Sequence, residues 1–298
     1  MTVDLSSLPP PEVIETISFE TIVQDIKDEI VARYPDAAEV IDLESEPLVK
    51  LIEAFAYREL TLRARYNDEA RALLLAFAVD ADLDHIGATY YQEERLVVTP
   101  ANNTTIPPTP AVMETNADYR QRLALKPEGY STAGPTGAYE YHARSADGRI
   151  KDAKATSPIG GTTEVFILSR LGDGTPDAEL LQIVEDALNP EEIRPVSEEV
   201  IVTAASIQNY TLDITPTIWA GPNVEPTLSA IATALAAFAA DKHRLKTDID
   251  HSAIDAAAHV AGVKKILINS PAVDIVCGPG QAPYCIGIVI RDPIIVSS

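Results

Sequence analysis

The segment from residue 48 to about 77 has the pattern of one long helix with a single apolar stripe. Its large apolar side chains recur mostly at intervals of three, four or seven residues, which places them on one side of a helix. They are Leu48, Ile52, Phe55, Leu62, Tyr66, Leu73 and Phe77. A helix of about 30 residues is about 45 Å long, more than a small domain needs to cover its own core. The stripe therefore predicts docking onto a partner, with burial inside the chain's own N-terminal bundle as the alternative.

Local signals place the two ends of this helix. Ser45 and Pro47 predict a start near residue 45, because Ser can accept bonds from exposed first-turn amides and Pro has no amide hydrogen. An acidic run later interrupts the stripe, and Gly87 can adopt the positive φ that ends many helices. We expect the helix to end between residues 78 and 87, with a short second turn at 83–88.

Two carboxylates weaken the simplest model of the stripe. Glu59 and Glu69 interrupt the apolar pattern along the helix. A regular two-stranded coiled coil keeps its seam apolar over successive heptads. The pattern therefore argues against a simple coiled coil of two identical helices.

Length and composition exclude several classes of protein. The chain has 298 residues, of which 46% are hydrophobic, enough for two or three folded domains. Its formal net charge of -22 argues against nucleic-acid binding, which depends on Lys and Arg neutralising phosphates. No apolar run of about 18 residues is present and the N-terminus lacks a basic flank, so we expect a soluble, cytosolic product. Cys277 and Cys285 are expected to be reduced thiols, with one disulfide as the alternative.

The N-terminal region is predicted to contain an extended arm before the helices. Pro9, Pro10 and Pro11 exclude a helix over about the first seventeen residues, so this arm needs a neighbour to hold it. Residues 18–34 are predicted to form a helix that Ser18 caps and that packs against the long helix.

Patterns after residue 96 predict two small units that combine helices and strands. The predicted strands are 150–156, 164–170, 199–204, 210–219, 264–269 and 286–291, and the longer predicted helices are 177–188, 226–240 and 252–260. The fold class is therefore α+β: an N-terminal helical region with one long helix, followed by two small α/β units with mixed or antiparallel sheets. The predicted domains are 1–96, an arm and helical oligomerisation region; 97–205, a middle α+β domain; and 206–298, a C-terminal α+β domain.

The strongest candidate for a chemical site is the group His251, Asp255 and His259. These residues are spaced four apart, on one face of a predicted helix, and could bind zinc. No HExxH order is present and no fourth ligand is evident, so we favour a capped helix end with solvent-facing histidines. The candidate caps are Asp248, Asp250 and Ser252. We predict no metal, no cofactor and no catalytic residue.

Several segments together are similar to one known protein family. They are 43–51, 56–59, 82–90 (DLDHIGATY), 94–101, 105–114, 136–148 (TGAYEYHARSADG), 194–196 and 243–245. In this combination the chain resembles the baseplate assembly protein J family of contractile-tailed phages and related contractile particles.

The resemblance implies a structural role without enzymatic activity. Family members form the wedges of the tail baseplate, a six-fold ring around the central spike that holds the first sheath layer and triggers contraction. The implied partners are other copies of the chain, in homodimer contacts and in the ring, and a smaller, tail protein I-like wedge protein. Two further implied partners are a sheath-initiator or lysozyme-related baseplate protein and the central spike or hub. The resemblance implies that the long helix forms the bundle and that the proline-rich arm is a tether. It also implies that the protein is located in the virion tail, which is assembled in the host cytoplasm.

Two other functions are alternatives to this one. A cell-wall-degrading tail hydrolase would use a metal or a pair of carboxylates, and metal analysis with substitution of His251 and His259 would identify it. A host-binding tail adhesin should be rich in repeats or long β structure, and the sequence predicts neither.

Overall fold

The structure is a computed structural model that describes Pro9 and residues 11–43, 45–195, 197–221 and 224–297. The helices are α1 (Phe19–Arg33), α2 (Pro47–Ala72), α3 (Asp80–Ile86), α4 (Asn116–Leu125), α5 (Thr136–Ala146), α6 (Ala178–Leu188), α7 (Glu225–Lys242) and α8 (His251–Ala258). The strands are β1 (Val97–Thr99), β2 (Val112–Met113), β3 (Ile150–Ile159), β4 (Thr162–Ser169), β5 (Glu199–Ala204), β6 (Ser206–Trp219), β7 (Val263–Ser270), β8 (Gln281–Ile290) and β9 (Ile294–Val296). The predicted α+β class is confirmed. Among the described residues, no helix has the length and apolar character needed to cross a bilayer.

Contacts divide the chain into two compact units, one ending at Glu94 and the other beginning at Arg95. In the first unit, α1 packs against α2, as predicted. Ser18 caps α1, because its Oγ accepts the Thr21 amide hydrogen at 3.3 Å. Ile22 of α1 is buried.

The end of α2 differs from the prediction, which placed it beyond residue 77. The helix ends at Ala72, and the Leu74 carbonyl then accepts the amides of Phe77 and Ala78 at 2.9 and 2.8 Å. Leu74 and Phe77 are half-buried and Ala78 is buried. Burial of these apolar side chains favours a turn at this point over a longer helix.

The segment after α2 also corrects the expectation for Gly87. Gly87 has φ -60° and joins α3 to a π-helical turn over Gly87–Tyr91. The positive φ expected at this stop is found at Gln92, at 55°. The second helical segment therefore begins before the predicted residue 83 and extends past residue 88.

The second unit contains two main sheets, each covered by helices. In the first sheet the order is β3-β4-β5, with β3 antiparallel and β5 parallel to β4, and α5 and α6 pack over it. In the second sheet β6 lies between β7 and β8, antiparallel to β7 and parallel to β8, and it also pairs with β9. Side chains of α7 and α8 complete the core of this sheet. The predicted mixed sheets are confirmed.

The two sheets share one nearly continuous strand. Only Ala205 separates β5 from β6, and its amide donates to the Ile167 carbonyl at 2.9 Å. The next amide, of Ser206, donates to Gly280 at 2.8 Å on the β8 side. A small buried cluster that includes Leu168 and Leu245 packs at this junction. The sheets are therefore joined by backbone hydrogen bonds, while the predicted domain limit at residue 205 remains a prediction.

Substitution of Gly280 tests how tightly the junction between the two sheets is packed. A Cβ at this position would lie 2.6 Å from the Phe166 ring, whereas none of the described atoms lies within 4 Å of a Cβ at Gly287 of β8. We expect Gly280→Ala to lower the free energy of unfolding by about 1–3 kcal/mol through overpacking. The matched control Gly287→Ala should change it by less than about 0.5 kcal/mol. Urea unfolding of both variants measures the difference, and equal midpoints would mean that the junction tolerates movement.

Candidate assembly interface

Helix α2 is stabilised by ion pairs along its own length. Pro47 occupies its first turn, where a missing amide hydrogen has no cost. Four pairs at spacings of three or four residues follow, a spacing that favours a helix. They are Lys50–Glu53 at 3.1 Å, Arg63–Glu59 at 2.6 Å, Arg65–Glu69 at 2.7 Å and Arg71–Asp68 at 3.4 Å. These ion pairs between polar side chains therefore stabilise the helical conformation of α2 without any contribution from a hydrophobic core.

One side of α2 is buried inside its own unit. Val49, Ile52 and Ala56 are buried there, and Ile52 is only 2% exposed. Ile52 was predicted as an interface residue, but its own chain already covers it. Leu48 is half-buried. The predicted stripe therefore does not form one uniform surface.

A second apolar side of α2 is exposed. Phe55 is 60% exposed, Leu62 47% and Tyr66 58%, and Leu73, the residue that caps the helix, is 79% exposed. Leu51, also exposed, was absent from the predicted set although its spacing of four from Phe55 fits the same side. At about 100° per residue these five side chains fall within about 60° of arc. We call these five residues the α2 stripe.

The last predicted interface residue lies outside the helix. Phe77 is half-buried in the turn that follows α2. Of the seven predicted residues, four therefore belong to the α2 stripe, and Leu48, Ile52 and Phe77 do not.

The described part of the N-terminal arm is held by α2 itself. The Asn67 side chain accepts the Glu15 amide hydrogen at 3.0 Å and donates to the Glu15 carbonyl at 2.8 Å. Arg63 also pairs with the Glu15 carboxylate at 3.3 Å. Residues 1–8 and Pro10, which belong to the predicted arm, lie outside the described residues. The arm was expected to need a neighbour that holds it, and at Glu15 that neighbour is helix α2 of the same chain.

His251, the first residue of α8, takes part in local structure, and Asp255 of the predicted group is half-buried. A ring N–H of His251 reaches the Pro271 carbonyl, with Nε2 and O 2.8 Å apart, and His259 is exposed just after the helix. Within the described ranges, no three or more His, Cys, Asp or Glu side chains are arranged to hold a metal ion.

The predicted caps of α8 require correction. The His251 amide donates to the Asp274 carboxylate at 2.8 Å, while Asp250 makes no side-chain capping bond. Asp248 instead accepts the Cys277 amide hydrogen at 2.8 Å. The cap comes from a residue distant in sequence, which local pattern reading could not identify. Cys277 and Cys285 are free thiols, and burial raises the pKa of Cys277.

A buried ionic network in the second unit was not predicted. Asp118 of α4 accepts from Arg170, which follows β4, and from Arg244 at 2.9 Å, which follows α7. Burial alone would raise the pKa of Asp118, but the two guanidinium groups outweigh it and lower the pKa to about 2. Arg122 is fully buried and pairs with Glu114 at 3.0 Å. This network ties α4 to both sheet-forming parts of the unit.

Asp118 should make the unit acid-sensitive. Because its folded-state pKa lies below the unfolded value, its contribution is present above about pH 4 and is lost as pH falls towards 2, roughly 2 kcal/mol in all. Asp118→Asn leaves two guanidinium groups without this carboxylate, so we expect about 2–4 kcal/mol lower stability at neutral pH and a weaker acid dependence. Denaturant unfolding at pH 7, 4 and 2.5 measures both effects.

The matched control for this substitution is Asp213→Asn. Asp213 pairs with Arg291, whose side chain is 56% exposed, so its loss should lower the stability much less than the loss of Asp118. If both substitutions cost the same, or if Asp118→Asn keeps the full acid dependence, the Asp118 network does not stabilise the unit as described.

Comparison with known proteins identifies the class to which these features belong. The model of the Baseplate J-like N-terminal domain matches residues 44–102, which include all of α2. The model of the Baseplate J-like central domain matches residues 131–204, from just before α5 to the end of β5. The chain is 46% identical over 288 residues to Baseplate protein J of Escherichia phage P2, with 95% of each chain covered.

These matches define a structural protein of a phage baseplate, located in the virion tail. The chain belongs to the baseplate J family, as its resemblance predicted.

Proposed function

We propose that this chain is a wedge component of a contractile tail baseplate. Copies of it associate with one another and bundle with a smaller, tail protein I-like wedge protein, and the wedges close a six-fold ring around the central spike. A sheath-initiator or lysozyme-related baseplate protein contacts the ring. The role is structural and involves no catalysis, and assembly takes place in the host cytoplasm. The observation that carries the proposal is the α2 stripe.

The α2 stripe is suited to association because it is apolar and its own unit leaves it exposed. Leu51, Phe55, Leu62 and Tyr66 lie on the helix itself, all more than two-fifths exposed. Burying four such side chains contributes roughly 6–12 kcal/mol at about 1.5–3 kcal/mol each. Association costs about 4–15 kcal/mol in lost motion and ordering. One such contact is therefore modest, so assembly depends on additional contacts.

A closed ring supplies those additional contacts. Each copy in a ring is held on two sides, and the second contact forms at high effective concentration once the first exists. Weak pairwise contacts then give a stable assembly only when all components are present. The formal charge of -22 adds repulsion between free copies, which favours association with a specific partner over random aggregation.

The second unit supports a role in which contact surfaces keep fixed positions. The strand shared by both sheets and the Asp118 network link segments far apart in sequence, with Arg244 separated from Asp118 by 126 residues. A ring subunit that carries load needs such cross-links, because a flexible joint would absorb displacement instead of transmitting it. We infer that the unit acts as a rigid body in the ring.

Substitution within the α2 stripe tests the proposed function. We expect Phe55→Asp or Leu62→Asp to abolish incorporation into the baseplate, because each buries an unpaired charge in the interface. The second unit should remain folded, since neither side chain belongs to its core. Incorporation is measured by particle assembly in a host that supplies the variant, and folding by thermal unfolding of the purified chain.

Tyr57→Asp is the matched control for these variants. Tyr57 lies on the same helix and is 64% exposed, but it points about 120° or more away from every member of the α2 stripe. Particles should form normally with this variant. Complete particles with Phe55→Asp or Leu62→Asp would mean that the α2 stripe is not an assembly surface.

A further inference from the structure

Lys151 of β3 is a half-buried cation without a carboxylate partner in its own chain. Among the described residues, its ammonium group has one hydrogen-bond acceptor, the Ala240 carbonyl near the end of α7, at a long 3.4 Å. No ion pair of Lys151 is found within the described ranges. Lys154, three residues later on the same strand, differs in this respect because it pairs with Glu140 at 2.8 Å.

The charged groups nearest to Lys151 include two guanidinium groups. Arg244, which follows α7, and Arg170, which follows β4, both repel its ammonium group, and Arg244 does so more strongly. Burial lowers the pKa of Lys151, and this repulsion lowers it further, to about 8. Asp118 and Asp152 attract the ammonium group but do not offset these effects.

Both of these carboxylates are already engaged by other groups. Asp118 binds the two guanidinium groups described above. Asp152 accepts the amide hydrogens of Leu245 at 3.1 Å and of Ala153 at 3.0 Å, and it lies 3.9 Å from the buried Arg144. The surroundings of Lys151 therefore hold more positive than negative charge, in a chain whose formal net charge is -22.

This positive region is open to a partner, and its chemistry favours a protein carboxylate. Lys151 is half-buried, and the Arg244 side chain is 20% exposed. A carboxylate that reaches these groups accepts charge-assisted hydrogen bonds in a partly desolvated place, where such bonds are strong. A nucleic acid would bring many phosphates against the negative charge of the whole chain, whereas a protein can present a single carboxylate.

We propose that Lys151, together with the neighbouring Arg244, receives an aspartate or glutamate side chain of an adjacent protein in the baseplate. This inference rests on the proposed function, because it assumes that the chain is packed against other baseplate proteins. The incoming carboxylate supplies the counter-charge that the chain lacks at this position. Lys151 thus lowers the stability of the free chain and strengthens the assembled state, a division typical of residues kept for function.

Lys151→Met separates these two effects. We expect the urea midpoint of the purified full-length chain to rise at pH 7, because the folded state no longer holds a half-buried cation without a counter-charge. The rise should be smaller at pH 9.5, where Lys151 of the unchanged folded chain is already largely neutral. In a host that supplies both chains equally, the variant should be depleted from particles by at least about tenfold. Mass spectrometry of purified particles measures the ratio.

Two further substitutions are controls for this experiment. Lys154→Met removes a lysine whose counter-charge lies inside the chain, so its urea midpoint should not rise and its incorporation should stay within about twofold of normal. Lys151→Arg keeps the charge and should be incorporated to within about threefold of normal. A purely structural role for Lys151 predicts the opposite change in stability, with a lower midpoint in Lys151→Met.

Carbodiimide cross-linking tests for the incoming carboxylate directly. This reagent joins an ammonium group to a carboxylate with which it is in contact. We expect Lys151 to be linked to an Asp or Glu of another protein molecule in assembled particles, and to none in the free chain. The ion pair of Lys27 and Asp42, at 2.8 Å with the Asp42 side chain 83% exposed, is the internal control and should be linked in the free chain.

The outcomes distinguish this inference from the proposed function. A higher midpoint and lower incorporation of Lys151→Met, with an intermolecular link at Lys151, support the carboxylate site. Normal incorporation of Lys151→Met, or particles in which Lys151 is linked to no carboxylate, overturns it. If Lys151→Met is incorporated normally while Phe55→Asp is not, the carboxylate site is wrong and the proposed function stands. Particles that form without this chain overturn the proposed function, whatever the result at Lys151.

Discussion

Helix α2 has two apolar sides, and its own unit covers only one of them. Val49, Ile52 and Ala56 are buried within the unit, whereas Phe55, Leu62 and Tyr66 remain in water. Exposure of so many large apolar side chains along one helix has a cost that a partner surface removes. The polar residues of α2 pair mainly along the helix, so the helix keeps its form before that partner arrives.

The second unit solves a different physical problem, which is to join two sheets without a flexible linker. Backbone hydrogen bonds run from β5 through Ala205 into β6, and the Asp118 network adds charged contacts from α4 to segments after β4 and α7. Removal of the Asp118 carboxylate would take from the half-buried Arg170 and Arg244 a counter-charge that they share, so the network holds its segments as a set. The proposed wedge role depends on these cross-links of the second unit together with the exposed stripe of α2.

The sequence predicted features that depend on nearby residues. Ser18 caps α1 as predicted, and β5 has the limits predicted for it. Features that depend on distant residues were missed. The partners of Asp118 are 52 and 126 residues away, and α2 ends before an apolar run in which Leu74 and Phe77 are half-buried and Ala78 is buried. Period alone also could not show which apolar side of α2 its neighbour α1 would cover, so Ile52 was grouped with Phe55.

The most direct measurement is hydroxyl-radical footprinting of α2 in the free chain and in assembled particles. Tyr66 of the α2 stripe and Tyr57 outside it are exposed on the same helix, so each serves as a reference for the other. We expect assembly to reduce oxidation of Tyr66 strongly and to change that of Tyr57 less. Equal oxidation of Tyr66 in the free chain and in the particle would contradict it, because the stripe would then remain in water after assembly.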